Sequence, residues 1–133
     1  MALRKTELLN VTSVTGIATV GILTVGVTQT AGGVGIASTT YIRSIVMHNT
    51  GLGTARTSLY IYPSSVAVSG AAQTAYRILR VDLAPSETTF FETNYPITLT
   101  GSDKLVVEVN APDTGGAGIG SAVNFLVNGD TDI

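Results

Sequence analysis

From Leu8 to Ile42 the chain carries no Asp, Glu, Lys, Arg or His. Few structures accept such a run, and three explanations compete. A membrane helix needs about twenty predominantly apolar residues. Here Thr12, Ser13, Thr15, Gly16, Thr19, Gly21, Thr24 and Gly26 interrupt the run too often, so no membrane partner is expected. A secretory signal needs a basic start and a compact apolar block. Arg4 and Lys5 supply the start, but Glu7 follows them and Thr and Gly dilute the block. The third explanation is a β-forming segment. Val, Ile and Thr suit a pleated, half-buried backbone, and they dominate Val11 to Thr28. Left bare, an uncharged β-prone segment invites edge pairing and aggregation. It has to be covered by its own domain, by sister subunits or by a larger assembly. Read as an extended arm, residues 1–40 form an assembly segment ahead of a domain at 41–133. Val14, Ile17, Val20, Ile22, Val25 and Val27 are then its apolar contacts with a partner. Removing residues 1–35 is expected to abolish partner binding and to leave residues 41–128 folded.

Beyond Tyr41 the pattern is one of short strands. Tyr41–Thr50 and Arg56–Tyr62 flank Asn49-Thr50-Gly51-Leu52-Gly53 and read as a hairpin. In Arg77–Leu83, Leu79, Val81 and Leu83 share one face; Lys104–Asn110 places Leu105, Val107 and Val109 inward, and Ala122–Asn128 does the same with Val123, Phe125 and Val127. Thr88–Glu92 is a short strand, and Tyr95-Pro96 breaks the chain before Ile97–Thr100. Several short strands without helical periodicity indicate an all-β fold: an antiparallel β-sandwich or jelly-roll-like barrel with an extended N-terminal arm. A length of 133 residues fits one such domain.

Composition narrows the chemistry. The chain has no Cys and one His, which excludes disulfides, thiolate zinc sites and Cys nucleophiles and disfavours a His-based relay. A net charge of -2 argues against a general nucleic-acid binder. The charges are uneven: Arg4, Lys5, Arg43, Arg56, Arg77 and Arg80 stand against Glu7 in the first part. Lys104 stands against Asp82, Glu87, Glu92, Asp103, Glu108, Asp113, Asp130 and Asp132 in the rest. Such halves either face each other within one fold or pair between copies.

No residue pattern assembles a reaction site. His48 ends a strand beside a turn, without an acid or nucleophile nearby in sequence. The Gly-rich runs at Gly51–Gly53 and Gly115–Gly120 lack the Lys-Ser/Thr of a phosphate loop. Asp130 and Asp132 lack the Glu and the frame of a calcium loop. Glu87 and Glu92 fall on opposite faces of a regular strand. No catalytic, metal or cofactor residue is therefore assigned, and a non-enzymatic role is expected. Tyr60 and Tyr62 lie two apart and share a sheet face, with Leu59 and Ile61 on the other. Either the tyrosines form an exposed platform for a sugar or a partner, or they belong to the core.

The succession YIRSIVMHNT, SLYIYP, RILRVDLAPSETTFFE and YPITLTGSDKLVVEV, over about residues 41–110, resembles the small β-sandwich virion proteins of tailed bacteriophages. The resemblance implies a capsid cement or decoration protein, a homo-oligomer (often a trimer in such families) whose partner is the major capsid protein. It implies a place on the outer capsid surface of the virion after synthesis in the host cytoplasm. Similar modules also serve as tail or fibre components, where Tyr60 and Tyr62 would bind a carbohydrate or receptor.

Overall fold

In the computed structural model, residues 3–15, 18–24, 27–29, 35–37, 39–68, 72–110 and 122–132 are described. For residues 3–10, 15, 18–24, 27–29, 35–37 and 131–132 the description is of the backbone. Ten strands follow in order: β1 (Leu3–Thr15), β2 (Ala18–Thr24), β3 (Val27–Gln29), β4 (Gly35–Ala37), β5 (Thr39–Asn49), β6 (Ala55–Tyr62), β7 (Arg77–Leu83), β8 (Thr88–Thr100), β9 (Lys104–Asn110) and β10 (Ala122–Asp132). Apart from the small β3–β4 ladder, they form two four-stranded antiparallel sheets, β1-β10-β5-β8 and β2-β9-β6-β7.

The pairing is nested. β1 pairs with β10, β2 with β9, β5 with β8 and β6 with β7. The β10–β5 and β9–β6 ladders then join these pairs into sheets. The chain is thus one long hairpin, folded about the β6–β7 connection and rolled into two layers, which is jelly-roll topology. Both sheets are open, so the expected all-β sandwich is found and a closed barrel is not. β1, β8, β2 and β7 are the edge strands.

Alternation builds one core between the layers. Ile42, Ile45 and Met47 of β5 and Val123, Phe125 and Val127 of β10 meet Leu59 of β6, Leu83 of β7 and Leu105, Val107 and Val109 of β9. Leu83, Leu105, Val107, Val109, Val123, Phe125 and Val127 are among the residues whose period of two marks an inward face. Leu79 and Val81 pack against the same cluster from the β7 edge. Across β6 and β7, Arg56 clasps Asp82 with bonds of 2.8 and 3.1 Å, and this hydrogen bonding holds the Asp82 carboxyl below its ordinary range.

Three expectations need correction. The segment read as an arm supplies the outer strand of each sheet: Leu3–Thr15 lies along β10 and Ala18–Thr24 along β9. The cover that its composition demands comes from the C-terminal strands of its own chain. Deleting residues 1–35 would therefore strip the outer strand from each sheet and leave β10 and β9 as bare edges rather than leave a finished domain. Second, β5 and β6 are not a hairpin, because they belong to different sheets. The turn between them is a corner pinned by buried Asn49, whose Nδ2 donates to the carbonyls of Gly53 (2.9 Å) and Leu83 (2.8 Å) while its Oδ1 accepts from Gly51 N. Third, Tyr95-Pro96 does not end a strand. β8 continues through it, but the register jumps from Ser44↔Glu92 to Ile42↔Ile97. Thr93–Pro96 bulge out of the ladder opposite Arg43, which places the proline, lacking an N–H, where no bond is required of it.

Candidate interaction surface

A sandwich has two outer faces, and here they are treated differently. On the β2-β9-β6-β7 sheet, Tyr60, Tyr62 and Val106 point outward and are nonetheless buried. Val66, Val68, Ala72 and Tyr76 of the β6–β7 connection pack over them as a second, smaller core. The three rings meet edge to face, with centroids 6.0 Å apart for Tyr60–Tyr62 and 5.5 Å for Tyr62–Tyr76. Both hydroxyls are used: Tyr60 donates to Glu108 Oε1 at 2.9 Å, and Tyr62 accepts from Gln73 N at 2.9 Å. Burial, followed by the Glu108 bond and its charge, raises the Tyr60 phenol above its ordinary pKa of 10.0. Neither tyrosine forms an exposed platform. Leu59 is buried on the opposite face, so β6 is covered on both sides.

The β1-β10-β5-β8 sheet is different. Its cross-strand register puts Phe90 of β8 beside Val46 of β5, and Val46 beside Leu126 of β10. Val11 of β1 lies at the far end of the row, next to the Thr12↔Phe125 pair. Phe90 is 63% exposed and Val11 60%, with Val46 and Leu126 half-buried between them. An apolar row thus crosses the outer face from edge to edge. On the side of Val46 away from Phe90 the row sinks into an open groove of about 190 Å³ lined by Val11, Val46, His48, Asn124, Phe125 and Leu126.

The groups around the row are polar and mostly satisfied. His48 Nδ1 and Thr88 Oγ1 are 2.6 Å apart at one end. At the other, Arg43 Nε donates to Asp130 Oδ2 at 2.6 Å, from a half-exposed guanidinium to a carboxylate 4% exposed. Asp130 Oδ1 has no partner among the described residues. Near Glu92, on the β8 edge, Tyr95 stands 85% exposed on the bulge, where Thr93 Oγ1 donates to the Tyr95 carbonyl. Among the described residues no group of three or more His, Cys, Asp or Glu could hold a metal ion. Glu87 is spent locally, its Oε1 accepting from Ala84 N at 2.9 Å. What this face offers is an apolar row framed by polar groups.

The residues proposed from sequence as partner contacts are dispersed. Val14 is buried in the sandwich core. Val20 and Ile22 stand in β2 and Val27 in β3. Ile17 and Val25 lie outside the described residues, as do Asp113 and the Gly115–Gly120 run. Phe90, Val46, Leu126 and Val11 were not singled out, although the sequence held a signal for the first three. Ile45-Val46-Met47, Phe90-Phe91 and Phe125-Leu126-Val127 are unbroken apolar runs in strands. A strand sends neighbours to opposite faces, so each run must put one apolar residue outside. Comparison of the chain with family models, curated proteins and solved structures finds no match in any of the three.

Proposed function

We propose that the protein is a non-enzymatic structural component of a virion, which decorates or cements the capsid of a tailed phage as a homo-oligomer bound to the major capsid protein. The observation that carries this is the exposed apolar row Phe90–Val46–Leu126–Val11. Large exposed apolar patches on small proteins mark interaction sites. The row spans a rigid sheet rather than lining a deep polar pocket, which suits contact with another folded surface, as assembly into an oligomer requires. Jelly rolls recur in capsid and lectin domains, and this analogy of fold supports the reading without establishing it. The uncharged N-terminal strands serve it by completing both sheets. A tail or fibre module that binds a carbohydrate or receptor would need a platform other than Tyr60 and Tyr62, which are buried.

Quantitative mass spectrometry of purified particles tests this. A copy number matching the capsid lattice is the expected result. Particles assembled with Leu126→Asp should lose most of the protein, although the variant stays folded by circular dichroism. A protein absent from purified particles would overturn the proposal, and a copy number matching the tail would move it to the tail.

A further inference from the structure

We infer that two copies of this chain pair face to face through the outer surface of the β1-β10-β5-β8 sheet, with Phe90 of each seated in the groove of the other. The pairing rests on the oligomeric assembly proposed above and supplies its contact.

The same face carries both halves of the fit. Phe90 stands out from the edge strand β8, and the groove lies across β5, β10 and β1 on the far side of Val46. A two-fold axis running along β5 carries the β8 edge of one copy over β10 of the other, the middle of that groove. Such an interface is isologous: if Phe90 contacts Leu126 of the partner copy, the partner copy's Phe90 contacts Leu126. Size agrees as well. An apolar cavity of about 150 Å³ accepts benzene, and the groove offers about 190 Å³.

Area and charge permit the pairing. β5 has 11 residues, and at ~3.4 Å per residue and ~4.8 Å between strands, three overlapping strands cover ~500 Å² of each copy. The total of ~1,000 Å² is where specific interfaces begin, so a weak, reversible dimer follows. Sheets packed this way lie ~10 Å apart with strands nearly aligned. Among the residues whose side chains are described, the ionisable groups around the row are His48, Glu92 and the ion-paired Arg43 and Asp130, while Lys5 and Glu7 stand on β1, beyond the three overlapping strands. A second copy therefore meets an apolar centre and no single-sign field.

Sedimentation equilibrium of the full chain decides it. The wild type should be mainly dimeric at ~100 µM. Phe90→Ser should weaken the dimer at least tenfold, as loss of a central aromatic anchor does. Leu126→Asp, which alters the groove instead of the knob, should do the same, while Thr74→Ala, on the β6–β7 connection over the opposite sheet, should not. A wild type still monomeric at ~1 mM overturns the pairing, and so does a Phe90→Ser variant as dimeric as the wild type. If the wild type is monomeric yet Phe90→Ser fails to join particles, the face belongs to the capsid protein and the pairing is lost while the virion role stands. If the dimer forms but the chain is absent from particles, the virion role is lost and the pairing stands.

Discussion

The two outer faces of this sandwich begin from the same problem and reach different solutions. Each sheet carries apolar side chains on the side away from the core: Tyr60, Tyr62 and Val106 on one, Phe90, Val46 and Leu126 on the other. On the first, the chain covers them itself with Val66, Val68, Ala72 and Tyr76 of the β6–β7 connection. On the second, Phe90 remains 63% exposed. Burial of apolar surface is favourable wherever the cover comes from. A face that its own chain covers contributes to folding, whereas a face left open holds the same free energy in reserve for association. The contrast therefore predicts that substitution of aromatic residues costs folding stability on the covered face and association on the open one.

The largest effect is expected on the covered face. Tyr62→Ala removes a fully buried ring, two edge-to-face contacts and the acceptor for Gln73 N. Truncating a buried aromatic costs about 3–5 kcal/mol. The urea midpoint should fall accordingly and the connection should become accessible to protease. A loss below about 1 kcal/mol would mean that the connection is not held by this second core, and the contrast between faces would collapse.

A smaller effect is expected at alkaline pH. The Tyr60 phenol is raised by burial and by its bond to Glu108, so the folded state holds this proton more tightly than the unfolded state does. The stability it contributes is complete below the ordinary tyrosine range and is lost as pH rises through the elevated value. Ionised Tyr60 would also face the Glu108 carboxylate across the former hydrogen bond. Urea midpoints measured from about pH 8 to 11 should decline more steeply for the wild type than for Tyr60→Phe. Equal slopes would remove Tyr60 from the alkaline limb.

The sequence made the layers legible and left their connections hidden. Leu79-Val81-Leu83, Leu105-Val107-Val109 and Val123-Phe125-Val127 declare their inward faces by period alone, and the structure buries or packs them accordingly. The corner at Asn49 could not be read so. A hairpin turn and an inter-sheet corner use the same small polar residues, and what separates them here is a bond from Asn49 to Leu83, remote in the chain. The N-terminal run posed a similar limit. Its composition shows that Val11–Thr28 needs cover, but not that β10, at the other end of the chain, provides it for β1. Tyr60 and Tyr62 were correctly placed on one face, yet their burial depends on Val66, Val68, Ala72 and Tyr76 packing back over them. Local periodicity assigns faces; only long-range topology decides which faces are covered.

The smallest effect should come from the open face, and its concentration dependence is the sharpest part of the contrast. Phe90→Ser removes an aromatic ring, as Tyr62→Ala does, but from a side chain 63% exposed on an edge strand. In dilute solution, where each copy is alone, its unfolding free energy should stay within about 0.5 kcal/mol of the wild type, as for exposed positions generally. As concentration rises, the wild type gains stability by mass action, because the dimer binds the folded state and not the unfolded one. Phe90→Ser should gain less at every concentration, so the two unfolding curves should separate with concentration. Curves that differ by several kcal/mol in dilute solution would show that Phe90 is part of the folded core. Curves that never separate would show that its exposure serves no contact between copies.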